Sequence, residues 1–379
     1  MQGAAVCISN KTGRVVAIVG GRKQKTTDGY TLNRAFQSYR QPGSSIKPLI
    51  VYTPSFEHGY TPESIVDDSY FKGGPRNSNG TYAGKIPVRS AVAASKNVVA
   101  WKLFEELTPK VGLSYILKMG FSNIVANDYY AASSLGGLTN GVSPLEMASG
   151  FATIENDGYY REPTCIVEIT DSRDNTIYKG KQVYSKESTS MMTSCMESVI
   201  ESGTAKGLGL SKTPSAGKTG TTNDKKDGWF CGYTAYYTTA VWVGYDTPKT
   251  VNDLYGSTYP GRIWHNFMED IHSSVEYQAL HDEYDGKKSD EVIDDEDDSE
   301  ADETEQPEDT QEPEDTQEPV DTEVPVTKEP DNWDDGQKEP VVTEKPQEQE
   351  TEPPQEEEVV DPAGDVGMQE MLLWRPKRI

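Results

Sequence analysis

The chain has no long apolar run. Nowhere do about 20 apolar residues follow one another, the length a bilayer-spanning helix requires, and the opening residues read as strand rather than as a secretory leader. The four cysteines, Cys7, Cys165, Cys195 and Cys231, are widely spaced and form no CxxC pair. That removes the usual zinc and dithiol readings and leaves small buried hydrophobes as the expectation. The four histidines, His58, His265, His272 and His281, accompany no G-x-S-x-G elbow. A Ser-His-Asp hydrolase is therefore not indicated, and structural roles are expected of them. Carboxylates are plentiful, yet no D-x-D-x-D-G loop arranges them for calcium. No metal and no cofactor is called for.

Positive charge is scarce, but only in one place. Residues 290–361 carry 32 acidic side chains against three lysines, a net of −29, while the whole chain is −26. Everything outside that stretch therefore sums to +3, a nearly neutral body with no dedicated nucleic-acid surface. The acidic stretch contains EDTQEP twice in succession, at 308–313 and 314–319. It offers few apolar groups to offset the entropy of ordering, its like charges repel, and its prolines favour extended backbone. A disordered acidic tail is expected, either a solvated extension or a site for a cationic partner. The last segment, 362–379, ends MLLWRPKRI, apolar and basic but too short to span a bilayer.

In the remaining body, residues 4–20 read as a β-hairpin turning at Asn10-Lys11-Thr12-Gly13. Residues 44–58 pattern as a core-packed helix, and 89–107 form a long run of helix formers. Residues 143–155 open with a capping box, Ser143 with Glu146 three residues later, and Pro144 at the first helical position. Residues 188–201 are a further amphipathic helix. From 215 the pattern turns to strands, broken at Asp227-Gly228 and around Ala235, before a terminal helix in IWHNFMEDIHSSV, 263–275. Strands at both ends with helices between predict one mixed, largely antiparallel sheet with a helical subdomain inserted.

Three short motifs carry chemistry, and their order matters more than any one of them. Ser44-Ser45-Ile46-Lys47 follows Gly43 at a helix start, where free N–H groups favour developing negative charge. Ser44 and Lys47 share a helix face, so the lysine can take the serine proton. An ordinary lysine, near 10.4, needs desolvation or a nearby cation to act as that base. Ser95-Lys96-Asn97 offers a hydroxyl for proton shuttling and an amide for a substrate peptide group. Lys218-Thr219-Gly220-Thr221 opens a strand: a lysine and two hydroxyls to hold a carboxylate, and a glycine to clear room for substrate at the strand edge. Lys11-Thr12-Gly13 repeats the bare tripeptide in the hairpin turn, where only a turn role is expected.

S-x-x-K, an S-x-N-type element and K-T-G, in that order, mark penicillin-binding proteins and serine β-lactamases. The chain resembles the transpeptidase domain of bifunctional, class A penicillin-binding proteins beyond these motifs, in NRAFQSYRQPGSSIKP, AASKNVVAWKL, SLGGLTNGVSPLEMASGFATIENDGYY and AGKTGTTNDKKDGWFCGYT. The resemblance implies an α/β fold of the α+β type, β-lactamase/transpeptidase-like. It divides the chain into a transpeptidase domain over 1–275, a transition over 276–289 and the tail and end segment beyond. It further implies that Ser44 attacks the penultimate D-alanine carbonyl of a peptidoglycan stem peptide, with Lys47 as general base. Ser95 relays the proton to the leaving amine and Asn97 orients the donor. Lys218 supports the depressed lysine pKa and, with Thr219 and Thr221, anchors the terminal carboxylate, while Gly220 completes the substrate-binding set by leaving room at the strand edge. The N–H groups of Ser44 and Thr221 form the oxyanion hole, and β-lactams acylate Ser44. An extracytoplasmic location at the bacterial membrane or wall is implied, with cell-wall or division proteins as the partners a site in the acidic tail would take. Class A members carry an N-terminal membrane anchor and a glycosyltransferase domain, and this sequence departs from that pattern, so neither is expected in this chain. A D,D-carboxypeptidase, a β-lactamase or a non-catalytic penicillin-binding module would share the motifs. A β-lactamase needs a carboxylate to activate water, and neither Glu146 nor Asp128 stands in a motif that assigns it that task.

Overall fold

Strand-forming sequence from both ends of the folded region meets in one antiparallel sheet. The computed structural model describes residues 1–22, 31–166, 180–280 and 284. The acidic tail, the end segment, most of the transition segment and His281 lie outside them. Strands β1 (Gln2–Ser9) and β2 (Arg14–Val19) form the expected hairpin, with Gly13 at φ +71° closing its turn. Next come α1 (Arg34–Gln37), α2 (Thr53–Glu57) and a small hairpin of β3 (Ile65–Asp68) and β4 (Gly84–Pro87). Helices α3 (Val88–Ala93), α4 (Asn97–Leu107), α5 (Pro109–Lys118) and α6 (Pro144–Glu155) follow. The pair β5 (Tyr159–Arg161) and β6 (Gly180–Gln182) leads to α7 (Lys186–Glu201). The chain then returns to the sheet through β7 (Ala216–Thr221), β8 (Asp227–Tyr233) and β9 (Tyr237–Gly244), and α8 (Tyr259–Ile271) covers it.

The strand order is β2-β1-β9-β8-β7, so β1 pairs with β9 along its whole length and β7 is the far edge. Side chains alternate between the two faces. One face carries Val6, Ile8, Trp229, Cys231, Tyr233 and Ala240, and packs on α6 and α7; Tyr233 shares a 2.7 Å hydroxyl contact with Thr193 of α7. On the other face Phe230 packs on Trp264 of α8 with ring centroids 4.8 Å apart. Lys218 stands opposite Cys231, so its side chain points to the helical side, into the core.

Several local expectations need correction. Residues 44–58 are not one α-helix: a 3-10 turn (Gly43–Ile46) passes into a π-helical turn (Pro48–Tyr52) and then α2. The run 89–107 is broken between α3 and α4, with Ser95 at φ +54° in the gap. The terminal helix is Tyr259–Ile271, starting earlier because Pro260 suits its first turn. The capping box of α6 is present as read: Ser143 Oγ accepts from the Glu146 N–H at 3.2 Å, and Glu146 Oε2 accepts from the Ser143 N–H at 2.8 Å. Cys7, Cys195 and Cys231 are buried, but Cys165 is exposed. His272 is buried between Thr234 Oγ1 and the Met268 carbonyl. No helix among the described residues is long and apolar enough to cross a membrane.

Candidate active site

The 3-10 turn that bears Ser44 is pressed into place by glycines. Gly43 has φ +55°, a left-handed conformation that costs a residue with a Cβ but not glycine. A Cβ on Gly43 would lie 2.9 Å from the Thr221 carbonyl oxygen and 3.1 Å from its nitrogen, so this turn rests directly on the backbone of the β7 edge. Trp229 Nε1 of β8 donates to the Gln41 carbonyl at 2.9 Å and pins the same turn from below. Ile46, Leu49 and Ile50 anchor it in the core. The two adjacent serines differ: Ser45 is fully buried and donates to the Pro42 carbonyl at 2.7 Å, whereas Ser44 is half-buried.

Lys47 has no exposed surface. Its Nζ donates to the Ser95 carbonyl (3.0 Å), the Lys96 carbonyl (3.2 Å) and Asn97 Oδ1 (2.8 Å). The break between α3 and α4 turns these groups toward the amine, and Ser95 takes the strained left-handed backbone that makes the break. Burial holds the Lys47 amine well below the ordinary lysine range; the neighbouring Lys218 pushes it the same way and Asp68 opposes. The contact expected from sequence, Ser44 Oγ to Lys47 Nζ, is not among the hydrogen bonds, because three oxygen acceptors hold the amine instead. Such contacts often tighten only when substrate is bound.

Lys218 is equally buried and donates to Ser95 Oγ at 2.9 Å and to the Thr219 carbonyl at 3.0 Å. Burial lowers its pKa to about 7, against a smaller opposing influence of Cys231. Ser95 thus touches both lysines, one through its carbonyl and one through its hydroxyl. The Thr219 hydroxyl lies 2.7 Å from that of Thr204, and the Thr221 hydroxyl accepts from the Gly256 N–H at 3.0 Å. The sequence reading of Gly220 needs correction. A Cβ there would stand 2.3 Å from the Pro42 carbonyl oxygen and 2.8 Å from Ser45 Oγ, so the room it leaves is filled by the Ser44 turn.

Sequence reasoning missed a group behind these residues. Asp68 and Asn77 are buried, and Lys96, noted only as the middle of its motif, pairs with Asp68 at 2.9 Å. No spacing pattern announces Asp68 or Asn77, which arrive from the β3–β4 arm. Glu146 and Asp128 are both occupied. Glu146 serves the α6 cap and the Ser122 N–H, and Asp128 accepts from Val125 N, Thr139 N and Thr139 Oγ1 at 2.6–2.9 Å.

A family model described as penicillin binding protein transpeptidase domain matches residues 3–269. The chain is 37% identical over 277 residues to penicillin-binding protein 4 of Bacillus subtilis (strain 168), covering 71% of this chain and 44% of that protein. It is 40% identical over 283 residues to penicillin-binding protein 1F of the same organism, covering 70% and 38%. The chain therefore spans less than half the length of these relatives. The structure of PonA1 from Mycobacterium tuberculosis in complex with penicillin V superposes with a TM-score of 0.63 at 25% identity, covering 74% of this chain and 80% of that one. Penicillin-binding protein 1A from Haemophilus influenzae shares the fold, with a TM-score of 0.63 at 24% identity over 73% of this chain and 48% of that one.

Proposed function

Because the chain belongs to the penicillin-binding protein transpeptidase domain family, we propose that it is a serine D,D-transpeptidase that cross-links peptidoglycan stem peptides through an acyl-enzyme on Ser44. The observation that carries this reading is the pair of fully buried lysines, Lys47 and Lys218, joined through Ser95 beside the one accessible serine of the turn. Two desolvated ammonium groups in one pocket are unfavourable, so one of them gives up its proton near neutrality and a base becomes available.

In the proposed reaction Ser44 Oγ bonds to the penultimate D-alanine carbonyl carbon and passes its proton to the neutral Lys47 amine. The carbon–nitrogen bond then breaks, and Ser95 relays that proton to the leaving D-alanine amine. An amine of a second stem attacks the acyl carbon, its proton returns through Lys47, and Ser44 leaves as the free hydroxyl. Asn97 orients the donor peptide, and Lys218 with Thr219 and Thr221 receives the terminal carboxylate. The Ser44 and Thr221 N–H groups face the developing oxyanion, a placement supported by the close packing of Gly43 on Thr221. β-Lactams acylate the same serine because their amide resembles the scissile bond. The substrate lies outside the cytoplasmic membrane, and the domain is proposed to act there.

Incubating the protein with a synthetic pentapeptide ending in D-Ala-D-Ala, with and without an amine acceptor, tests this. Release of D-alanine with a cross-linked product, both absent in Ser44→Ala, is expected. Release into water that ignores the acceptor indicates a carboxypeptidase. Penicillin turnover within seconds indicates a β-lactamase, and either outcome overturns the transpeptidase assignment.

A further inference from the structure

Three polar side chains behind Lys47 have no part in the acyl-transfer scheme. Asp68 of β3 has no exposed surface, and Asn77 and Lys96 are 4% and 8% exposed. Asp68 Oδ2 accepts from Lys96 Nζ and from the Ala83 N–H, each at 2.9 Å, and Oδ1 accepts from Asn77 Nδ2 at 2.7 Å. The second hydrogen of Asn77 Nδ2 goes to the Thr81 carbonyl at 2.9 Å. On its other side, Asn77 Oδ1 accepts the first N–H groups of α4, from Asn97 at 2.8 Å and Val98 at 3.3 Å. All the hydrogen-bonding capacity of this amide is used, so turning it over would strand four partners in the core.

The result is felt at Asn97. Its backbone N–H is held by Asn77, and its side-chain Nδ2 donates to the carbonyl of the adjacent Arg76 at 2.9 Å. With the nitrogen end fixed, Oδ1 must face the other way, where it accepts from Lys47 Nζ at 2.8 Å. A buried ion pair adds little stability beyond what apolar packing would give, so stability is a poor account of the Asp68–Lys96 pair. Placement is a better one.

We propose that Asn77, braced by the Asp68–Lys96 ion pair, is a positioning residue for acylation: it fixes Asn97 so that its side-chain amide oxygen, Oδ1, holds the Lys47 amine in place. The inference rests on the acyl-transfer reading of Ser44 and Lys47 above. The charged groups around Lys47 are Lys218 from β7, Asp68 from β3 and Lys96 from the α3–α4 link. Tyr52 of the following turn and Cys195 of α7 are kept neutral by burial.

The test is the pH dependence of acylation by a fluorescent penicillin, with a melting curve for each variant. Asn77→Ala is expected to acylate about 100-fold more slowly at its best pH, the size of loss that misplacing a catalytic group by about 1 Å brings. The near-isosteric Asp68→Asn removes the negative charge that favours protonated Lys47, so its acid limb moves to lower pH. Asn77→Asp keeps the oxygen that accepts the α4 N–H groups and, set against Asp68 Oδ1, holds a proton that it donates there, so it is expected to restore much of the rate with its acid limb in place. A rate lost in Asn77→Ala and restored in Asn77→Asp, together with a displaced limb in Asp68→Asn, is not produced by loose folding. If Asn77→Ala fails to fold, these two near-isosteric variants still decide. Lower melting temperatures with an unmoved acid limb in Asp68→Asn would mean a structural role only and overturn the proposal. Wild-type rates and limbs in all variants would overturn it as well. A wild-type protein that takes no label instead removes the acyl-transfer reading itself.

Discussion

Lys-Thr-Gly occurs twice in this chain, and the two copies share nothing but their letters. In the β1–β2 turn, Lys11 and Thr12 are exposed; Thr12 Oγ1 accepts the Arg14 N–H at 3.3 Å, and Gly13 supplies the positive φ that closes the hairpin. In β7 the same tripeptide lies along a sheet edge, with Lys218 fully buried on the helical side and bonded to Ser95. Gly220 there provides room, not conformation: its missing side chain admits the turn that carries Ser44. A lysine becomes a candidate for proton chemistry when the fold removes its water and sets a second lysine nearby. The tripeptide alone does neither.

The sharpest way to break this comparison is to remove both lysines in turn. Lys218→Met is expected to slow penicillin acylation by about 10²–10⁴, the range that positioned acid–base groups supply. Lys11→Met is expected to leave the rate unchanged. Equal effects, read by fluorescent-penicillin labelling rates, would show that burial does not separate the two copies.

Next in size is the pH dependence of stability. The Lys218 pKa is about 7 in the folded protein and about 10.4 when unfolded. Between those values the unfolded chain binds more protons, so stability rises with pH across that window and is lowest below about 7. Lys47 is displaced in the same direction and adds to the rise. Melting temperatures from neutral pH upward should therefore climb, the climb should be smaller in Lys218→Met, and Lys11→Met should leave it intact.

The glycines give the smallest effects and the finest contrast. Gly220→Ala drives a methyl against the Pro42 carbonyl and Ser45, and is expected to cost about 1–3 kcal/mol and to slow acylation as well. Gly13→Ala places a Cβ at positive φ near the Arg161 side chain, and is expected to cost about 1 kcal/mol with acylation unaltered. Chemical denaturation together with labelling rates separates the two.

Much of this architecture is legible in the sequence, for identifiable reasons. The hairpin is written in alternating β-formers around a glycine turn, and α6 in a capping box with proline at its first position. The order of the three motifs points to one site, and the structure links the lysine of the first to the second and the second to the lysine of the third. What escaped is what tertiary contacts impose. Neither proline nor glycine interrupts 89–107, and Ser95 and Asn97, modest helix formers among alanines and leucines, are too weak a signal to place the break. The strained backbone at Ser95 persists in a setting where Lys47 and Lys218 bond its carbonyl and hydroxyl. The π-helical turn after Lys47 carries no composition signal either. Asp68, at the end of β3, and Asn77, between β3 and β4, lie 20 or more residues from the groups they brace, and no spacing pattern ties them to the site.

The most direct test of the account is peptide mapping by mass spectrometry after incubation with penicillin V, using the protein as it stands, Ser44→Ala and Ser45→Ala. The account predicts one stable penicilloyl adduct on the peptide containing residue 44, assigned to Ser44, lost in Ser44→Ala and kept in Ser45→Ala. An adduct on Ser45, or none on a folded protein, would contradict it.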